Sequence, residues 1–199
     1  MLASITPLGE RGRGSRWGVT VAFFTVGSVV AAAAVGALLG ELGRLTWPGP
    51  AAAGNARLAI LAVTLAGAIV LDLGAGGLSI PSLRRQVNED WLQEYRGWVY
   101  GLGFGFQLGL GVSTIVTTAA VYVTLVAAWL SADPLLGAAV TGAFGLARAA
   151  SLLVAAGVTR PDRLVALHSH LTAWRGPGRR LAIAGQGALL VVALLGFAG

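Results

Sequence analysis

Cysteine is absent from the 199-residue chain, lysine is absent too, and methionine occurs once. Without a thiol this chain alone can form no disulfide, thiol nucleophile or thiolate metal site. Charge is scarce as well: 11% of residues are Asp, Glu, Lys or Arg, and only 8 are acidic, too few to clothe a soluble domain of this length. Aromatics make up 8%. What remains is mostly Ala, Leu, Val and Gly, with 56% hydrophobic residues, 30 glycines and a mean hydropathy of +0.77. That composition predicts an all-α polytopic membrane helix bundle forming one domain, 1–199, whose small residues let helices approach closely.

The basic residues are all arginine, and their position matters more than the net charge of +6. Eleven of the 14 lie in three segments: Arg11, Arg13 and Arg16; Arg84, Arg85 and Arg96; and Arg160, Arg163, Arg175, Arg179 and Arg180. The alternate connections hold only Arg44 and Arg57. By the positive-inside rule the three rich segments are cytoplasmic, which predicts a multi-pass protein of the bacterial inner membrane with its N-terminus inside and its C-terminus outside. No basic surface interleaved with aromatics is left over for nucleic acid.

Five spans are expected, at about 17–40, 57–79, 98–130, 135–158 and 181–198. The first resembles a signal peptide at its start, because arginines precede an apolar run with small residues at Ala31–Ala34. It nevertheless continues for about 36 Å as helix, long enough to cross a bilayer uncleaved. The third is too long for one untilted span and predicts a bend or break near Gly109 and Gly111. Two cytoplasmic interfacial helices are expected between spans. One carries Leu83, Val87, Trp91 and Tyr95 at four-residue spacing; the other is capped by Asp162 and carries Leu164, Leu167, His168, Leu171 and Trp174. Trp91, Tyr95 and Trp174 are thereby candidates for docking a partner. Arg57–Ile60 is echoed by Arg180–Ile183 in the opposite orientation, which points to an inverted repeat.

Several stretches carry a family resemblance. Ser4-Ile5-Thr6-Pro7-Leu8, then Phe24-Thr25-Val26-Gly27-Ser28 leading to Gly36-Ala37-Leu38-Leu39-Gly40, then Ile80-Pro81, and above all Gly101-Leu102-Gly103-Phe104-Gly105-Phe106-Gln107 resemble the cytochrome c biogenesis CcdA family and the membrane domain of DsbD-type thiol-disulfide transporters. The resemblance implies a transporter-like bundle. In that family a cysteine in each of two proline-cysteine motifs carries electrons across the membrane. Here the corresponding positions, near Leu8 and Leu110-Gly111, hold no thiol, and the family's first helix is almost wholly missing. The redox activity is therefore not carried over.

The candidate site rests on charge at membrane depth. An arginine at the centre of a span costs roughly 2.5–3.5 kcal/mol, so Arg148 should face a protein or water-lined interior and hold a partner. Asp72 lies at a similar depth, about 20 Å from the outer surface. Ion pairing that fixes helix register, a ligand-binding or proton-linked pair, and no pairing at all are the alternatives. Thr141, Gly145 and Arg148 form a small polar stripe on one helix face. On the third span Gly103, Gln107, Gly111, Thr114 and Thr118 share one face, with Gly101, Gly105 and Gly109 opposite. Such a helix either packs closely on two neighbours or breaks to line a cavity with Gln107 and Ser113.

His168 and His170 point apart on a helix and cannot chelate one ion, so no metal and no cofactor are expected. No catalytic constellation appears. The leading expectation is binding or translocation of a small solute at a midplane site containing Asp72, Arg148 and Gln107, with Ser113 and Thr141 near it. The alternative is a non-catalytic membrane subunit that assembles or stabilises a partner complex, the partner being a membrane protein or a second copy. A thiol relay with cysteines supplied by a partner is the remaining expectation.

Overall fold

The structure is a computed structural model that describes residues 5–47, 53–77, 79–81, 91–111 and 116–198. It is an all-α membrane helix bundle, with no strand among the described residues. The helices are α1 (Pro7–Gly12), α2 (Trp17–Thr46), α3 (Ala53–Leu73), α4 (Trp91–Glu94), α5 (Gly97–Gly109), α6 (Ala120–Leu130), α7 (Pro134–Ala150) and α8 (Pro161–Ala198). A 3-10 turn, Ser151–Gly157, extends α7.

Among the described residues four helices are long and apolar enough to cross a membrane: Trp17–Thr46, Gly54–Leu73, Pro134–Gly157 and Gly176–Gly196. Large apolar side chains point outward along them, Leu38, Val63, Leu135 and Leu195 among them. Surface of that kind is suited to lipid. The break expected in the third span is present: 98–130 holds two shorter helices, α5 and α6. Two features explain the interruption. Gly111 has φ +79°, a left-handed backbone that ends a helix, and α6 starts under a cap supplied from a distant helix, described below.

The expected interfacial helix around Trp91 is represented by α4 alone, since Leu83 and Val87 lie outside the described residues. The second interfacial helix and the fifth span are one continuous helix, α8, running through Pro177. A helix-interior proline ordinarily costs about 3 kcal/mol, because it removes a backbone donor and its ring crowds the preceding turn. Here Gly176 and Gly178 flank it, with nothing within 4 Å of where their side chains would begin. Asp162 follows Pro161 inside the first turn of α8 and is not the residue before the helix. From there its charge still favours the helix N-terminus.

The chain forms two compact units, each assembled from three stretches. The first comprises Met1–Ala32, Arg84–Ile115 and Gly142–Arg175. Its core is Ile5, Phe24, Leu92, Tyr100, Phe104, Ala149 and Leu152, with Trp91 stacked on Phe104 at 6.0 Å. The first half of α2 meets α5 along Gly101, Gly105 and Gly109, where a Cβ would lie 2.6 Å from the Thr20 carbonyl oxygen and 2.3 Å from that of Ser28 at the two ends. Glycines four apart strip one face of α5 to backbone, so α2 can lie directly against it. The opposite face is thin for another reason, as Trp91 covers Gly103. Ser28 also donates to the Gly145 carbonyl at 3.0 Å, tying α2 to α7.

The second unit comprises Ala33–Leu83, Val116–Thr141 and Gly176–Gly199. Leu65 and Ala68 of α3 pack on Ala119 and Val123 at the start of α6, with Leu190 of α8 alongside. The second half of α2 passes α7 at Gly36 and Gly137, again backbone to backbone. At one end of the unit Trp47 pairs with Trp129 at 5.5 Å, and Arg57 sits 5.6 Å from the Trp47 ring centroid. Asp133 starts α7, its Oδ1 accepting from the amides of Leu135 at 2.7 Å and Leu136 at 3.0 Å, with Pro134 as the first helical residue.

Candidate functional site

Among the described residues each unit buries one carboxylate, and only one of the two was anticipated. In the second unit Asp72, near the end of α3, is 3% exposed. Its Oδ2 accepts from Thr118 Oγ1 at 2.7 Å and from Gln186 Nε2 at 2.8 Å, and its Oδ1 accepts from the amide of Ala119 at 2.8 Å. Ala119 is the residue before α6 and has no side-chain cap of its own. Asp72 therefore acts on α6 from α3: it accepts from the backbone amide of the residue that opens the helix and places an acceptor at its positive end. Gln186 on α8 completes the set. The sequence identified Asp72 as intramembrane, but not the donors that converge on it.

Asp72 and Arg148 fall in different units, and each has partners within its own. In the first unit Arg148 donates from Nη1 to the Leu108 carbonyl at 3.1 Å, and its guanidinium lies 5.8 Å from the Phe144 ring centroid. That carbonyl also accepts from the Gly111 amide at 3.1 Å, so the cation joins the turn that closes α5 and meets the negative end of the helix. Both expected site residues thus act as helix-terminus caps in this structure.

The remaining expected residues scatter. Thr141 is 3% exposed and belongs to the second unit; its hydroxyl donates to Gly137 one turn back at 2.9 Å, where α7 passes Gly36. Gln107 is half-buried on α5. Ser113 lies outside the described residues. Of the docking candidates, Trp91 packs inward on Gly103 and Phe104, whereas Tyr95 is 49% and Trp174 61% exposed.

Sequence reasoning missed the second carboxylate. Thr6 caps α1 by accepting from the Gly9 amide at 3.1 Å, Pro7 opens the helix, and the turn places Glu10 inward, fully buried. Glu10 receives the Tyr100 hydroxyl at 2.6 Å from both oxygens, the Thr20 hydroxyl at 2.6 Å and Arg13 Nη2 at 2.7 Å. Burial works against the charged form of Arg13, but its hydrogen bonds to Glu10 and Tyr100 outweigh it and hold its pKa above the ordinary arginine value. Glu10, Thr20 and Tyr100 are all closed to solvent. The available signal was the i,i+3 Glu10–Arg13 spacing just after Thr6-Pro7, which looked like part of a solvated basic loop.

The chain is 30% identical to the methylamine utilization protein MauF of Paracoccus versutus over 205 aligned positions, covering 98% of the chain and 70% of that protein. It is 30% identical to MauF of Paracoccus denitrificans over 98% of the chain and 69% of that protein. It is 31% identical to MauF of Methylophilus methylotrophus over 74% of the chain and 52% of that protein. No family model and no solved structure matches the chain. These findings overturn the resemblance to CcdA and DsbD proteins, and with it the support that the resemblance lent to a transporter-like reading. The physical reason is visible in the stretch that carried it most strongly. Gly101, Gly103 and Gly105 are spaced to admit α2 on one face and Trp91 on the other, a requirement any tightly packed membrane helix can impose.

Proposed function

The chain belongs to the MauF family of methylamine utilization proteins, and from that premise we propose that it is a non-catalytic membrane accessory protein of methylamine utilization, one that supports a partner and carries no solute through its interior. The observation that supports this reading is the closure of Asp72. Both carboxylate oxygens are occupied by the chain's own donors, three hydrogen bonds in all, at a residue 3% exposed. All three bonds are spent on joining α3, α6 and α8, the work of a structural group. Glu10 is committed in the same way to joining α1, α2 and α5.

The test is deletion of this chain's gene in its own host. Growth on methylamine is expected to fail and to return with the wild-type gene, while growth on other nitrogen sources and initial uptake of labelled methylamine by intact cells stay unchanged. Loss of uptake on deletion, together with methylamine flux into liposomes containing only the purified chain, overturns the reading in favour of transport. Unimpaired growth on methylamine overturns both.

A further inference from the structure

The first unit carries a cleft that neither buried carboxylate explains. Its volume is about 590 Å³, within the range of roughly 300–1,000 Å³ usual for small-ligand clefts. One wall is the segment from Arg13 to Thr20, the other the segment from Leu92 to Trp98. Three guanidinium groups line it, on Arg13, Arg16 and Arg96, against a single carboxylate, Glu94. Arg13 is engaged with Glu10 and contributes its field from the back of the cleft. Arg16 and Arg96 are exposed, and their side chains have no hydrogen-bond or ion-pair partner among the described residues. Each stands immediately before a helix, Arg16 before α2 and Arg96 before α5, and Arg96 provides its helix with no side-chain cap.

Aromatic residues complete the lining. Tyr95 and Trp98 are 49% and 46% exposed, and Trp98 is 5.7 Å from Phe23 on α2. Arginine with half-exposed Trp and Tyr at the start of a membrane-crossing helix is the composition of the headgroup level. Planar guanidinium forks match the oxygens of a phosphate, and helix N-termini add amide donors of the same sign. We propose that this cleft binds a phosphate-bearing anion, the chemistry shared by an anionic phospholipid headgroup and free phosphate, with Arg16 and Arg96 as its ligands. Glu94 on the lining repels the anion from one side, so it sits toward the two arginines. The alternative is that these arginines only orient the chain in the membrane, which demands positive charge but no particular pair of residues.

The experiment uses the full chain in nanodiscs of phosphatidylcholine containing phosphatidylglycerol. Native mass spectrometry then counts phosphatidylglycerol retained after extraction into neutral detergent. Wild type is expected to retain one molecule, and R16Q/R96Q to lower retention about tenfold. R11Q/R160Q, which removes two exposed arginines of the same unit outside the cleft, is expected to change it less than about twofold. R16K/R96K should recover most of the retention, separating lost charge from lost fold. A parallel titration with millimolar inorganic phosphate distinguishes the sources: displacement of the lipid assigns the site to the phosphate group itself, and failure to displace assigns it to the lipid. The proposal is overturned if wild type retains neither, or if R11Q/R160Q loses as much as R16Q/R96Q.

Discussion

Adding one methyl group at Gly105 tests whether backbone contact between α2 and α5 holds the first unit together. A Cβ at that position would lie 2.0 Å from the Phe24 carbonyl oxygen, 2.7 Å from its carbon and 2.9 Å from its Cα. All three are backbone atoms of a helix, so no side chain can rotate aside. To reach even 3.0 Å, below which real Cβ contacts are essentially never found, α5 must retreat about 1 Å. That retreat also opens the contacts of Gly101 with Thr20 and of Gly109 with Ser28. Overpacking of this kind costs about 1–3 kcal/mol, set against up to about 1 kcal/mol regained from the better helix propensity of alanine. Gly67 on α3 provides the control, since nothing lies within 4 Å of its missing Cβ. There G67A should gain the propensity term alone and stabilise the protein by about 0.5–1 kcal/mol. Reversible unfolding in mixed dodecyl maltoside and dodecyl sulfate micelles, followed by circular dichroism, measures both. If G105A and G67A shift the midpoint in the same direction, close backbone packing is not what secures α5.

Three further outcomes follow from the side-chain hydrogen bonds. Y100F removes one of three side-chain donors to Glu10 and should cost about 1.5–3 kcal/mol in the same unfolding assay, as expected for a bond to a charged group; a change below about 0.5 kcal/mol would show Glu10 to be held by Arg13 and Thr20 alone. D72A and Q186L, measured singly and together, should reveal a coupling of about 0.5–1.7 kcal/mol, the span found for side-chain hydrogen bonds within membranes; strict additivity would mean that Gln186 does not support Asp72. D133A removes the α7 cap and should cost about 0.5–2 kcal/mol, with fraying seen as faster amide exchange at Leu135 and Leu136; unchanged exchange there would refute the capping role.

Composition made the membrane class and the helical architecture legible, because an apolar chain so poor in charge has few other ways to satisfy its backbone. Gly111 and the length of the apolar stretch from Trp98 to Leu130 made the interruption of the third span legible too. The start of α6 was not, since its cap arrives from Asp72, 47 residues earlier, and local pattern carries no trace of a partner supplied by another helix. Glu10 was missed for a related reason: its donors Thr20 and Tyr100 come from two other helices, and before those are placed the residue looks like one more charge in a basic loop. The continuity of α8 was hidden by Pro177, a residue that ordinarily ends helices. The family resemblance failed where glycine spacing imposed by packing was taken for a mark of ancestry.

The attachment of α1 bears on the order in which this protein can be made. Thr6, Pro7 and Glu10 leave the ribosome well before their partners: Glu10 needs Tyr100, and the amide of Leu8 donates to the carbonyl of Val158 at 3.1 Å. At about 5–20 residues per second, a nascent α1 waits on the order of ten seconds or more for that last acceptor, and its acidic side chain lacks the Tyr100 donor until residue 100 is in place. The short helix translated ahead of its partners is thus among the last pieces to be fastened, and a chain stalled before residue 158 would leave it without its backbone anchor.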